Sequence, residues 1–347
     1  MLNVASATRS AGATLFVTGA NLANAVGGAS DTGTQVLLGN GDSFLKGGGG
    51  AAGTSTISII PWLVANTSGS SSTPGSFATY TATGVRMIST TTEMSSSITA
   101  GSTTNVITGA VTLGADATVN ALQYTGGTGA SNIGSGRTLT VASGGLYFSN
   151  NNAGIGAAGN ATAGTLNFGS AEGIVWSLGS NTNSIGSVIA GSGGLTKSGT
   201  GTLTLTRANT YTGDTYVSSG TMIVGDGTNS SKLGTTGDVF VAAGSLLDLR
   251  NNNTIADASK LTLTLSGLYN GRVALASGIN ETVGSLFFGS QSQTTGSWGA
   301  TGSGASNIND TYFSGLGIIT VAIPEPATWL LLAATGTFFM VMRRRRE

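Results

Sequence analysis

Short runs of alternating apolar and polar residues recur along the chain, separated by glycine, asparagine and serine. After about residue 100 each run follows a glycine, as in residues 145–148 (GLYF) and 220–224 (GTMIV). Alternation with a period of two residues is typical of a strand with one buried face, and helical periodicity is nearly absent. The pattern therefore predicts an all-β protein.

The glycines that open these runs form a repeat. They are spaced 19, 30, 26, 24 and 40 residues apart, at Gly145, Gly164, Gly194, Gly220, Gly244 and Gly284. A period of roughly 20–30 residues, built from short strands and turns, is typical of a β-solenoid, whose coils pair their strands with the coils above and below. We predict a right-handed parallel β-helix over residues 101–322, preceded by irregular β-rich coils over residues 1–100. A β-sandwich is the alternative, but the two-residue Asn-Gly or Asp-Gly hairpins that favour it do not recur.

The composition excludes several classes of site. The 347 residues include 57 glycines, 14 basic and 14 acidic residues, no cysteine and no histidine. Disulfides, zinc sites of the Cys/His type and catalytic pairs that need His or Cys cannot be built from this chain. Basic residues cluster only at Arg343, Arg344, Arg345 and Arg346, so we expect no nucleic-acid surface. No cofactor, metal or catalytic residue is predicted.

A β-helix that degrades polysaccharide would need paired carboxylates, and acidic residues are sparse in the body of the chain. The densest series is Asp214, Asp226, Asp238, Asp248 and Asp257. Their spacing could stack two of them on neighbouring coils, roughly 5–10 Å apart as in a glycosidase, but aspartates beside glycine more often cap turns. Aromatic residues allow two interpretations as well, a sugar-binding face or a filled core. They are Tyr147, Phe148, Phe168, Trp176 and Tyr211.

Residues 193–225 carry the densest form of the repeat. They read GGLTKSGTGTLTLTRANTYTGDTYVSSGTMIVG. This segment resembles the autotransporter-associated β-strand repeat, also called the passenger-associated transport repeat; Arg207 and Met222 depart from its commonest residues without disturbing the strand pattern. The resemblance implies a secreted, surface-displayed β-helix without enzymatic activity, and residues 294–321 look like the coil that closes such repeats.

The composition changes sharply after Val321. Pro324, Glu325 and Pro326 precede sixteen uncharged residues, 327–342, and the four arginines follow. An apolar segment that ends in arginines is typical of a membrane-spanning helix with its basic end in the cytoplasm. Sixteen residues span only about 24 Å of the roughly 30 Å hydrocarbon core. We predict one short transmembrane helix over residues 327–342.

Pro-Glu-Pro, an apolar helix and an Arg cluster, in this order, resemble a PEP-CTERM sorting signal. The resemblance implies that an exosortase recognises Pro324, Glu325 and Pro326 and removes the helix during export. A plain C-terminal membrane anchor is the alternative. Export also needs an N-terminal signal peptide, and residues 1–26 show no such layout. Either the true start lies upstream, which we expect, or the chain is a fragment.

Together these features predict an exported, non-enzymatic structural or adhesive protein. Sorting would carry it through the inner membrane to the cell surface or to the extracellular matrix of a biofilm. Its expected partners are an exosortase-type processing enzyme, the membrane before processing, and extracellular polysaccharide. The alternative hypothesis is a β-helical protein that binds or degrades polysaccharide.

Overall fold

The computed structural model describes residues 2–19, 22, 36–67, 75–99, 101–127, 131–156, 164–227 and 230–322. Within these ranges the chain is built from β-strands, with one short 3₁₀ helix at Gly41–Phe44. The all-β prediction is confirmed for this part of the chain.

The N-terminal strands form sheets of their own. They are β1 (Leu2–Val4), β2 (Leu15–Thr18), β3 (Val36–Leu38), β4 (Ile60–Asn66), β5 (Ser76–Thr81) and β6 (Gly84–Met87). β1 pairs with β3, and a second sheet has the order β2-β4-β5-β6, in which β4, β5 and β6 pair antiparallel. This arrangement differs from the irregular coils expected over residues 1–100. The reason is that β4 is a seven-residue run with six buried positions, so it needs cover on both of its faces, whereas residues 202–205 and 221–224 of the coils bury only every second residue.

From β7 onward the chain winds into successive coils of short strands. These strands are β7 (Gly101–Thr108), β8 (Ala117–Tyr124), β9 (Thr138–Val141), β10 (Gly145–Phe148), β11 (Gly154–Ile155), β12 (Thr165–Asn167), β13 (Gly173–Ser177), β14 (Thr182–Ile185), β15 (Val188–Ala190), β16 (Leu195–Ser198), β17 (Thr202–Leu205), β18 (Thr215–Val217), β19 (Thr221–Val224), β20 (Val239–Val241), β21 (Leu246–Leu249), β22 (Lys260–Leu263), β23 (Leu265–Ser266), β24 (Tyr269–Asn270), β25 (Arg272–Leu275), β26 (Asn280–Val283), β27 (Ser285–Phe288), β28 (Gln291–Ser292), β29 (Gly296–Gly299), β30 (Asn307–Ile308), β31 (Phe313–Gly315) and β32 (Ile318–Val321).

Parallel ladders run along the stacked coils. The first ladder follows β7, β8, β10, β13, β16, β18, β20, β22 and β27, and the second follows β11, β14, β17, β19, β21, β25 and β31. A third ladder joins β8, β9, β12 and β15; β8 turns the corner between two faces, because its first half pairs with β9 and its second half with β10. Parallel pairing between coils confirms a solenoid and rules out the β-sandwich for this region. Its right-handed winding stays a prediction.

The core is a set of aligned columns of apolar residues. Along the second ladder Leu205, Val224, Leu249 and Leu275 occupy the same register and are all buried. Because each inward side chain lies directly above its counterpart, the alternation read from the sequence fills a continuous narrow core.

Buried polar side chains replace backbone pairing where the third ladder lapses. The Asn209 Oδ1 atom accepts the Ile189 N–H (2.9 Å), and its Nδ2 donates to the Lys232 carbonyl (2.7 Å). The Glu281 carboxylate accepts the N–H groups of Thr254 and Ile255 (3.1 and 2.6 Å). The Asn209 and Glu281 side chains thus accept N–H groups of three buried residues, Ile189, Thr254 and Ile255.

The N-terminal sheet packs against the outer side of the first ladder. Phe77, Ile174 and Trp176 share one buried cluster, and the Trp176 indole N–H donates to the Pro61 carbonyl (3.1 Å). Further along the same face, Arg9 makes a two-pronged ion pair with Glu172 (2.8 and 2.9 Å). The chain before β2 therefore acts as a strap across the outer surface of the coils.

The C-terminal end of the solenoid is covered by β29 and β30. β29 pairs antiparallel with β32, the last strand, with Gly296 opposite Val321 and Gly299 opposite Ile318, and β30 pairs parallel with the other edge of β29. The segment expected to close the repeat therefore adds two strands beyond β32 at this end.

The predicted transmembrane helix, residues 327–342, lies outside the described residues. Within the described ranges no helix has the length and the apolar character needed to cross a membrane.

Glu93 is a buried carboxylate whose partners make the N-terminal region sensitive to acid. It pairs with Arg86 (2.6 Å) and accepts the N–H groups of Gly53 and Ser89 (2.8 Å each). Burial by itself raises the pKa of the Glu93 carboxyl, but these partners outweigh burial and hold the pKa at about 2, below its ordinary value of 4.5. The unfolded chain therefore binds a proton at Glu93 more readily than the folded chain does.

We expect the stabilisation from Glu93 to be complete above about pH 5 and to be lost as the pH falls towards 2. Replacing Glu93 by Gln should reduce the fall in unfolding free energy between pH 6 and pH 3 by about 1–2 kcal/mol, measured by urea titration. Asp42→Asn, which removes an exposed carboxyl, serves as the control. An unchanged pH dependence in the Glu93→Gln variant would contradict this role.

Candidate functional site

Two of the acidic residues singled out in the sequence do stack on neighbouring coils. Thr215 pairs with Val239, which brings the preceding residues Asp214 and Asp238 to the same corner. The Asp214 Oδ1 atom accepts the Asp238 N–H (2.9 Å), and the Asp238 Oδ1 atom accepts the Lys260 N–H (2.8 Å). Each carboxylate thus caps the turn of the next coil, as turn aspartates commonly do.

The other acids of that series occupy different positions. Asp248 points outward from the second ladder and pairs with Arg250 (2.8 Å), Asp226 follows β19, and Asp257 lies three residues before β22. Within the described ranges no group of three metal-ligating side chains occurs. The Asp238 carboxylate also pairs with the Lys260 ammonium (3.1 Å), so the stacked pair is engaged in structural contacts.

The aromatic residues that could have lined a sugar-binding face are buried. Tyr147, Phe148, Phe168, Trp176 and Tyr211 are each at most 2% exposed. Burial raises the pKa of both Tyr147 and Tyr211 to about 12, and the hydroxyl of Tyr211 shares a hydrogen bond with Thr215 (2.7 Å). These rings fill the core or the interface with the N-terminal sheet. The sequence had allowed this interpretation as the alternative to a sugar-binding face.

An aromatic stack on the outer face was not anticipated from the sequence. The rings of Tyr216 and Phe240 lie parallel with centroids 4.9 Å apart, and the Lys260 ammonium covers the other face of Phe240 at 5.3 Å. A Cβ atom on Gly12 would lie 2.4 Å from the Tyr216 ring, so the N-terminal strap covers the remaining face. The runs TYV and VFV each carry an aromatic residue at their central, outward position, and this pattern was the sign of the stack in the sequence. With both ring faces covered, this stack is not a sugar platform.

Lys197 distinguishes the densest form of the repeat from the other coils. The sequence alone did not single out this residue. In the first ladder it pairs with Val175 on one side and Val217 on the other, so it occupies an inward, apolar column. Its side chain is fully buried. A lysine in such a column needs acceptors for all three of its N–H groups.

The acceptors of Lys197 are carbonyl oxygens at the corner between the first and second ladders. Its Nζ atom donates to the carbonyls of Gly199 and Gly201 in its own coil and of Ser219 in the next, the last at 2.8 Å. Burial lowers the pKa of the Lys197 ammonium to about 7. The three carbonyl dipoles oppose that lowering, because only the ammonium form offers three donors.

Glycines make room for this arrangement. Gly199 and Gly220 adopt positive φ angles of 77° and 68°, and a Cβ atom on Gly220 would lie 2.6 Å from the Lys197 Nζ atom. Lys197 therefore clamps two successive coils together, and glycine at the corner positions leaves room for its ammonium group.

Comparison with known protein families finds two matches, both short. Residues 195–224, which run from β16 to β19, match the passenger-associated transport repeat. Residues 322–346 match the PEP-CTERM protein-sorting motif. No curated protein and no solved structure shows significant similarity to the chain.

The two matches support the resemblances seen in the sequence, and the sorting motif indicates an exported protein that is transiently at the membrane and is processed by an exosortase. Pro324, Glu325 and Pro326 lie outside the described residues, as do Arg343, Arg344, Arg345 and Arg346.

Replacing Lys197 by Met keeps an apolar stem but removes the donors of the clamp. The carbonyls of Gly199 and Ser219 would then lack a hydrogen-bond donor among the described residues. We expect the free energy of unfolding, measured in urea, to fall by about 2–4 kcal/mol, since a buried unsatisfied group costs about 1–3 kcal/mol. Lys46→Met, at an exposed position, is the matched control. A gain in stability would show that desolvation of the ammonium outweighs its hydrogen bonds.

Proposed function

We propose that this protein is a non-enzymatic structural or adhesive component of the cell surface or extracellular matrix, released there when an exosortase removes its C-terminal segment. The junction between the solenoid and the sorting motif carries this proposal. The last strand, β32, ends at Val321, and the match to the sorting motif begins at residue 322.

That junction would let processing occur without unfolding the body of the protein. Val321 is held on both sides, by Val283 in a parallel pair and by Gly296 in an antiparallel pair. Cleavage near Pro326 would leave every strand of the described chain intact. The body is therefore suited to persist outside the cell once the tail is removed.

The length of the stacked coils is suited to a protein that acts as a structural spacer. Across the described residues the first ladder contains nine strands. Eight spacings of about 4.8 Å give a stack about 38 Å long. An elongated stack in a chain with only 8% charged residues supports a structural role more readily than a catalytic one.

Polysaccharide degradation is the alternative function, and the positions of the acidic residues bear on the choice between it and a structural role. Asp214 and Asp238 are the only stacked pair of the described series, and both accept backbone N–H groups. A glycosidase needs one carboxyl that is free to donate a proton and one that is free to attack or to activate water. The engagement of both carboxylates therefore favours the structural proposal.

Replacing Pro324 and Glu325 together by Ala should stop processing. We expect the variant to stay in the inner membrane with an intact C-terminus, whereas the unchanged protein leaves the cells and ends near Pro326. Cell fractionation in the native host, followed by mass spectrometry of the C-terminal peptide, measures both.

Thr328→Ala provides the matched control, because it alters the neighbouring segment and preserves Pro-Glu-Pro. Equal release of the two variants would contradict recognition at this motif. An intact tail ending in Arg346 and Glu347, found only in membranes for the unchanged protein, would favour a plain anchor.

A further inference from the structure

A cleft opens at the corner between the first and second ladders, near the C-terminal end of the solenoid. Three successive coils contribute to it: Ser245 from one, Tyr269, Asn270 and Arg272 from the next, and Asp310 from the last. Leu246 pairs with Arg272, and Val273 pairs with Phe313, which sets the three segments side by side. The volume of this cleft is about 440 Å³, within the roughly 300–1,000 Å³ typical of small-molecule sites. We call it the hairpin cleft.

The rim of the hairpin cleft is a β-hairpin that leaves the coil. β23 and β24 pair antiparallel around Gly267, which has a positive φ of 58°. At its tip Leu268 is 95% exposed and Tyr269 is 70% exposed. The Tyr269 ring contacts no other ring or cation among the described residues, so an aromatic face remains open beside the cleft. This contrasts with Tyr216 and Phe240, whose faces are covered.

The floor of the cleft carries buried polar atoms without partners. Ser245 is 2% exposed, and its Oγ atom makes no hydrogen bond; the Asn270 Oδ1 atom is likewise buried and unpartnered. A buried polar atom of this kind destabilises the folded chain as long as it stays unsatisfied. Among the described residues the Arg272 guanidinium also makes no side-chain hydrogen bond or ion pair. The Arg272 guanidinium therefore offers donors to a polar ligand in the cleft, and rotation of the Ser245 or Asn270 side chain would bring a further polar atom to the same ligand.

Charge restricts the kind of ligand. The Asp310 carboxylate accepts the N–H and the hydroxyl of Thr301 (2.7 and 2.6 Å), and these bonds lower its pKa. Asp310 is therefore ionised at neutral pH, where it would repel an acidic ligand, while Arg272 would repel a cationic one. A neutral ligand rich in hydroxyl groups fits best, since each hydroxyl both donates, to Asn270 or Asp310, and accepts, from Arg272 or Ser245.

We propose that the hairpin cleft binds a neutral oligosaccharide. One sugar ring lies with its C–H face against Tyr269, and its hydroxyls bond to Asn270, Arg272 and Asp310. Stacking on an open aromatic face combined with a few convergent polar groups gives both affinity and orientation. The site goes beyond the structural role proposed above and rests on that proposal only for the extracellular location in which such a polymer is met.

Binding is tested with the purified full-length chain on an array of neutral and acidic oligosaccharides, followed by calorimetry with the neutral oligosaccharide that is best retained. Tyr269→Ala and Arg272→Ala should each weaken binding at least about tenfold, which corresponds to the loss of one stacking or charged hydrogen-bonding contact. Arg250→Ala removes an exposed arginine that lies outside the cleft and should bind as the unchanged chain does. Far-UV circular dichroism checks that all three variants fold.

Retention of acidic oligosaccharides alone, or of no neutral oligosaccharide at all, would overturn the proposal. So would equal affinities of the Tyr269→Ala, Arg272→Ala and Arg250→Ala variants for the neutral ligand. Since the purified chain is used, these outcomes are separate from the processing experiment: a tail that is never cleaved leaves the cleft intact, and an empty cleft leaves the sorting motif unaffected.

Discussion

Hydrogen bonding between the backbones of consecutive coils is the interaction on which the rest of this structure depends. With only 8% charged residues and no cysteine, the chain has few ion pairs and no disulfides to hold it together. Parallel ladders satisfy the backbone, and they also align inward side chains into columns such as Leu205, Val224 and Leu249. Stability and core packing thus arise from the same register.

Side chains take over where that pairing lapses, and several of the buried polar residues act in this way. Lys197 binds three corner carbonyls, while Asn209 and Glu281 bind backbone groups along the third face. Burial raises the pKa of Glu281 and lowers that of Lys197, so both groups hold their partners at some electrostatic cost. The passenger-associated transport repeat is the segment in which one such contact clamps two coils.

One side and the C-terminal end of the solenoid are covered by other parts of the chain, which limits where function can reside. The N-terminal strap and sheet cover the outer side of the first ladder, and β29 and β30 lie beyond β32 at the C-terminal end. The hairpin cleft remains open near that last coil, beyond the reach of the strap. A body sealed in this way, followed directly by a sorting motif, accords with a protein built to be released intact.

The sequence by itself determined the all-β class, the coil repeat, the absence of Cys and His chemistry, and the sorting motif, because these depend on local periodicity and on residue identity. It also allowed two of the five aspartates to stack on neighbouring coils, and the structure shows that these two are Asp214 and Asp238. Only the tertiary structure decided that the N-terminal strands form a covering sheet, that Lys197 points inward, and that Ser245, Tyr269 and Asp310 share one cleft. Those outcomes depend on which coils lie side by side and on segments that leave the coil between two strands. Neither feature produces a periodic pattern in the sequence.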